Sequence, residues 1–87
     1  MNWDMYPRLA DGIEINRVAD GYIVYHPGRD RVHYLNHTAV LVLELCTGDV
    51  QARELPGLLQ TAYSLPGPPT EDVAQCLSML VDEELVR

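Results

Sequence analysis

The chain has 87 residues, 47% of them hydrophobic, which predicts one domain with a small core. Its 13 acidic residues outnumber its 6 arginines, there is no lysine, and the formal net charge is −7. A negative field repels phosphate backbones and anionic lipid headgroups, so the charge disfavours nucleic-acid and membrane-surface partners. The N-terminus lacks the basic and apolar segments of a secretory signal, and no apolar run approaches the ~20 residues that span a bilayer. We therefore expect a cytoplasmic protein.

Three strands are predicted in the first half of the chain, after an irregular lead-in over residues 1–12. Alternating, β-branched and aromatic residues favour strands at about residues 13–18, 22–26 and 31–35. Asp20-Gly21 and the loop of residues 27–30 supply the turns between them. Short turns between consecutive strands indicate an antiparallel meander.

The pattern then changes from strand to helix at Asn36, whose side chain suits an N-cap. A helix is predicted over about residues 37–47, and Gly48 is a residue typical of a helix end. Between residues 39 and 46 only Glu44 is strongly polar. A helix without a polar face must lie in the middle of a domain. The strand just before it is then left at the rim of the sheet.

Two more helices are predicted, over about residues 53–63 and 71–84. Pro56 fits if the first of them begins near Arg53, because the first amides of a helix have no intrahelical partner to lose. A proline-rich loop over residues 66–69 separates the two helices, and Thr70 is expected to cap the last one.

The last helix is unusually apolar for a surface helix. At ~100° per residue its apolar side chains cover an arc of roughly 180°, wider than the typical core-facing stripe of somewhat over ~100°. The residues in this arc are Val73, Ala74, Cys76, Leu77, Leu80, Val81 and Leu85. One side of the arc can pack on the first helix, and we expect the rest to face a groove or a partner.

The strand over residues 31–35 is an edge of a simple meander, and an unpaired edge is a template for another strand. Its side chains divide between two faces, with Val32 and Tyr34 on one face and Arg31, His33 and Leu35 on the other. An edge strand beside an apolar helix is an arrangement that captures an extended peptide by strand addition.

Three strands followed by three helices, with Leu35-Asn36 at the junction, resemble the PqqD-like family of RiPP recognition elements, whose members bind the leader segments of ribosomally made precursor peptides. The resemblance covers about residues 7–86. The motifs that carry it are Pro7-Arg8-Leu9, Leu35-Asn36 with Thr38-Ala39, the segment LELCTG over residues 43–48, Asp72-Val73 and the closing residues 80–86. Two positions depart from the family pattern, because Gln51 stands where a threonine is frequent and Glu84 stands where a glycine is usual.

The resemblance implies an α+β fold with a three-stranded antiparallel meander followed by three helices, similar to winged helix-turn-helix domains. It implies a non-catalytic adaptor that binds a leader as a fourth strand in the groove between the third strand and the third helix. The modifying enzyme or leader peptidase that receives the precursor is then a second partner. The implied peptide-binding residues are Arg31, Val32, His33, Tyr34, Leu35, Val73, Ala74, Leu77 and Val81.

Two other functions use the same architecture. A winged-helix DNA-binding domain needs a basic recognition helix, whereas residues 71–86 carry five acidic residues and no basic one. The loop before the third strand offers Arg29 and Arg31 but also Asp30. A regulatory protein–protein interaction domain could instead pair its edge strand permanently with another chain, and the sequence leaves a monomer and a dimer equally open.

The remaining chemistry-bearing side chains do not form a recognisable site. Cys46 and Cys76 lie in apolar helical patterns typical of buried free thiols, and a bridge between them would require an oxidising compartment. The histidines stand on separate elements without a nearby cysteine, unlike zinc ligands; they are His26, His33 and His37. No catalytic residue, metal or cofactor is therefore expected. The acidic run Asp82-Glu83-Glu84 is typical of a solvated helix end, or of docking to a basic partner.

The lead-in carries two aromatic residues, Trp3 and Tyr6. We expect them to hold the N-terminus against the domain. Contact with a partner enzyme is the alternative.

Overall fold

A computed structural model describes residues 2–87, and in it three antiparallel strands precede three helices. The strands are β1 (Glu14–Val18), β2 (Gly21–His26) and β3 (Arg31–Leu35); the helices are α1 (His37–Leu45), α2 (Leu55–Tyr63) and α3 (Thr70–Asp82). The sheet order is β1-β2-β3, with both neighbouring pairs antiparallel. The predicted α+β fold, a meander followed by three helices, is confirmed.

Helix α1 lies at the centre of the domain, as its apolar composition predicted. Val40, Val42 and Leu43 are at most 2% exposed. The helix makes contacts with β2, β3, α2 and α3. The helices therefore enclose one continuous core against the inner face of the sheet.

The ends of α1 show one predicted and one unpredicted feature. The Asn36 side-chain oxygen accepts a hydrogen bond from the Ala39 amide at 2.9 Å, as an N-cap does. The helix ends at Leu45, before the predicted residue 47, because Cys46 leaves the helical conformation with a ψ of 73°. The Cys46 carbonyl instead accepts a hydrogen bond from the Leu9 amide at 2.9 Å. Gly48 has a φ of +90° and serves the following turn, not the helix end.

Replacing Asn36 with alanine should lower the free energy of unfolding by about 1 kcal/mol, because the cap on the Ala39 amide is lost. Urea unfolding followed by circular dichroism measures the change. Asn36→Asp is the matched control, since its carboxylate can still accept the hydrogen bond. Equal stability of the alanine variant and the native chain would contradict a capping role.

The starts of the other two helices differ from the predictions. A 3₁₀ turn, Ala52–Glu54, precedes α2, and Pro56 lies in the first turn of α2, where no intrahelical donor is needed. Helix α3 begins at Thr70 itself, with Pro69 in the cap position and no side-chain cap bond. The prediction that Thr70 caps this helix was therefore wrong.

Helix α3 ends two residues early because the chain reverses at Glu84. This residue has a φ of +59°, and the Leu85 amide after it bonds to the Leu80 carbonyl at 2.9 Å. A left-handed residue at this point is usually glycine. Glu84 takes this conformation at the position where the resemblance leads us to expect a glycine.

The lead-in is more ordered than predicted. Arg8 and Arg87 exchange two backbone hydrogen bonds, of 3.0 and 2.8 Å, and the Ala10 amide bonds to the Leu85 carbonyl at 2.9 Å. The N-terminal segment is thus held between the C-terminus and the segment after α1. Trp3 packs partly buried on the core, whereas Tyr6 is 56% exposed. Only the first of these aromatics fits the expected role of holding the N-terminus.

Candidate functional site

Strand β3 is an unpaired edge whose free backbone groups can be assigned. The two-residue turn after β1 makes Val18 and Gly21 a hydrogen-bonded pair. Because bonding alternates along each strand, odd-numbered residues of β2 bond toward β1 and even-numbered residues toward β3. The β3 partners of the even-numbered residues are Arg31, His33 and Leu35. The N–H and C=O groups of Val32 and Tyr34 therefore point away from the sheet.

The side chains of β3 divide between two environments, as predicted. On the outer face Val32 is 63% and Tyr34 is 60% exposed. On the inner face Leu35 is in the core and His33 is nearly buried, while Arg31 is half-exposed at the end of the strand. The edge thus offers apolar surface on one side and the α3 cleft on the other.

Ion pairs join the β2–β3 hairpin to the C-terminal end of α3. The Arg31 guanidinium lies 3.1 Å from a Glu83 carboxylate oxygen, and His33 Nε2 lies 3.7 Å from the same atom. Arg29 pairs with the Glu84 carboxylate. Two residues of the acidic run are thus paired within the chain, in contrast to the expected solvated helix end or docking to a separate partner. Partly exposed pairs like these contribute about 0–1 kcal/mol each, so they position the hairpin more than they stabilise it.

The predicted peptide-binding residues of α3 do not lie beside β3. Val73 and Leu77 are fully enclosed in the core. Ala74 is half-buried and Val81 is 38% exposed. At ~100° per residue these last two lie about 160–180° around the helix from Glu83, whose side chain reaches β3. They are therefore on the opposite flank of α3.

A different stripe of α3 borders the cleft. It runs along Asp72, Gln75, Cys76 and Met79 toward Glu83, at the spacing of one helix face. The first four of these residues line a depression of about 480 Å³ together with Asn36, Thr38 and Ala39. This cleft stripe mixes acidic, amide, sulfur and apolar groups, so Cys76 is its only member in the predicted apolar arc. The sequence signal for this side of α3 was charge, since Glu83 is acidic and Arg31 of β3 is basic.

The two cysteines are free thiols, Cys46 just after α1 and Cys76 in α3. Burial, with a smaller contribution from the nearby Cys76 thiol, raises the pKa of the Cys46 thiol to about 12. The Cys46 thiol donates to the Val42 carbonyl, with Sγ 3.1 Å from the oxygen. Burial also raises the pKa of Cys76, which is half-buried in the cleft stripe. A neutral thiol is a weak nucleophile, so neither side chain has the character of a catalytic cysteine.

The raised pKa of Cys46 predicts a loss of stability in alkali. In the unfolded chain the Cys46 thiol ionises with a pKa near 9.0, whereas burial keeps the folded thiol neutral until about pH 12. The contribution of Cys46 is therefore complete below pH 9 and lost as the pH rises toward 12. Urea unfolding between pH 9 and 11 should show a steeper decline for the native chain than for Cys46→Ala, by up to about 1.4 kcal/mol per pH unit. Parallel declines would contradict this.

The three histidines have different partners in the structure. His26 Nε2 is 3.1 Å from the Glu84 carbonyl, His33 lies beside Glu83, and the His37 ring stacks edge-on against Tyr22. Within residues 2–87 no group of three or more His, Cys, Asp or Glu side chains could hold a metal ion. In that same range no helix has the length and apolar character needed to cross a bilayer.

These features define a small α+β domain with an accessible edge strand beside a helix. Residues 21–86 match the family model described as Coenzyme PQQ synthesis protein D (PqqD). The chain belongs to the PqqD family, the family of RiPP recognition elements. This membership indicates a peptide-binding partner protein, and the family consists of non-catalytic accessory domains. A search of curated proteins and a search of solved structures each found no match. The likeness to winged helix-turn-helix domains therefore stays a prediction.

Proposed function

We propose that this protein is a non-catalytic adaptor that binds the leader of a ribosomally synthesised precursor peptide as a fourth strand on β3. The leader would run along Arg31, Val32, His33 and Tyr34, with α3 on its inner side. Leu35, Val73 and Leu77 would support the groove from the core. The precursor would then be presented, in the cytoplasm, to a modifying enzyme or a leader peptidase.

The observation that carries the proposal is the orientation of the free edge. Val32 and Tyr34 direct unpaired backbone donors and acceptors outward, and their side chains are exposed. Main-chain hydrogen bonds supply affinity in strand addition, while pockets for alternate side chains supply specificity. Just past the end of β3, the cleft stripe of α3 and the start of α1 line a depression that is a candidate for such a pocket.

The arrangement of charges supports DNA binding less well than it supports leader capture. The arginines of the loop that would serve as a wing, Arg29 and Arg31, pair with Glu84 and Glu83. Contact with phosphates would have to break these pairs and bring the acidic helix end against a polyanion. A permanent protein partner on β3 would use the same edge, and it differs from leader capture in that a short free peptide would not bind reversibly.

The test is a titration of a fluorescently labelled leader peptide, taken from the precursor gene beside this one, with the folded protein. Anisotropy should rise to saturation at low micromolar protein, and unlabelled leader should reverse it. A scrambled leader of equal composition is the matched control. No binding at tens of micromolar, with the fold verified by circular dichroism, would refute leader capture.

A further inference from the structure

Beyond the end of β3 lies a cavity of about 340 Å³ that opens to the surface. Its apolar lining comes from the partly exposed Leu65 and Pro69 of the loop that joins α2 to α3. Beneath them lie core side chains of α1, α2 and α3, namely Val42, Leu59 and Val73. Its rim carries Thr38, Tyr63, Asp72 and Cys76. Ligand pockets on proteins commonly measure about 300–1,000 Å³, so this surface cavity is large enough to hold one large side chain.

The cavity continues the cleft that begins at the end of β3. Thr38, Asp72 and Cys76 line both the cavity and the depression beside it, and that depression begins at Asn36, the residue that follows β3. A strand paired with β3 that continued past Leu35 would therefore pass over the depression and reach the mouth of the cavity.

The charges around this path favour one kind of guest residue. Asp72 lies at the rim of the cavity, and Glu71 lies next to it in the first turn of α3. No basic side chain lines the cavity or the depression among the residues that the structure describes. A cationic guest residue can face these carboxylates, while an acidic one would be repelled.

We propose that this cavity is a specificity subsite for one large aliphatic or aromatic side chain of the bound leader, flanked by a Lys or Arg that faces Asp72. The inference rests on the proposed leader capture and adds to it an anchor outside the strand pairing. A buried apolar anchor in a pocket concentrates binding energy in a few contacts. Recognition then depends on two regions of the leader, the paired backbone and the anchor next to it.

Two variants test the subsite. Thr38→Phe places a large ring at the exposed rim, where it competes with the anchor, and should weaken binding of the neighbouring precursor's leader at least tenfold in an anisotropy titration. Thr61→Phe makes the same change on an exposed position of α2 that lines neither depression, and should leave affinity unchanged. Thermal unfolding of both variants checks the fold.

A second readout uses the native chain. Cys76 lies at the rim, so saturating leader should slow its alkylation by iodoacetamide at least fivefold, measured by peptide mass spectrometry. Alanine at the leader's anchor position should abolish this protection. If the leader binds but Cys76 reacts at the same rate and Thr38→Phe binds normally, the subsite is refuted and leader capture stands. If the native chain binds no leader at all, both proposals are refuted.

Discussion

Replacing Val32 with proline should weaken leader binding tenfold or more while the domain stays folded. The Val32 amide points away from the sheet, so its loss removes a hydrogen bond to the guest and none from the β2–β3 ladder. The proline ring also fills the space that a guest carbonyl would occupy. Edge strands tolerate proline where the amide faces solvent, and the Val32 side chain is largely exposed.

The matched control is Arg17→Pro on β1, the opposite edge of the sheet. By the same alternation the Arg17 amide also points away from the ladder, so the substitution makes an equivalent change far from β3. Leader affinity should be unchanged in this variant. Anisotropy titrations and urea unfolding of both proteins separate loss of binding from loss of fold. Full affinity in the Val32 variant, or equal losses in both, would contradict strand addition at β3.

Replacing Leu77 with alanine should lower the free energy of unfolding by about 3 kcal/mol. Leu77 has no exposed surface and belongs to the central core, so truncation leaves a cavity among well-packed neighbours. For a domain of this size such a loss lowers the melting temperature by about 12–24 °C. Urea and thermal unfolding measure it.

The same variant separates two roles for Leu77. The resemblance placed Leu77 in the peptide groove, whereas in the structure it can only support that groove from beneath. Leader affinity at a temperature where the variant is folded should therefore stay within about twofold of the native value. Val81→Ala, on the exposed far flank of α3, is the control and should cost less than about 1 kcal/mol. A loss below about 1 kcal/mol for Leu77→Ala would contradict the place of Leu77 in the core.

Most of the fold could be predicted because each element carries its own local signal. Asn36 caps α1, as its side-chain chemistry predicts. Because α1 has no polar face, it had to lie at the centre of the domain, and it does. The helix ends were less predictable. Just after α1, the Cys46 carbonyl accepts a hydrogen bond from the distant Leu9 amide, and no local pattern reports that partner. Helix α3 ends in a local reversal with a positive φ at Glu84, a conformation that a glutamate does not signal.

The candidate site was also predictable only in part. The alternation of side chains along β3 was correct, because strand periodicity is a property of the backbone itself. The residues predicted for the α3 side of the cleft were not correct. An apolar arc of roughly 180° does not reveal which of its side chains face α1 and which face β3. The ion pair between Glu83 and Arg31 marks that direction, and it forms only when residues far apart in sequence meet.

By itself, the sequence determined the order and type of the elements, the edge position of β3 and the negative charge that disfavours nucleic acid. These properties depend on periodicity, turn chemistry and composition, all of which are local or additive. Only the tertiary structure decided that Val73 and Leu77 are core residues, that the stripe from Asp72 to Met79 borders the cleft, and that a cavity lies beyond Asn36. The physical reason is that an apolar arc as wide as that of α3 fits more than one rotation of the helix, and packing against the other elements selects one of them.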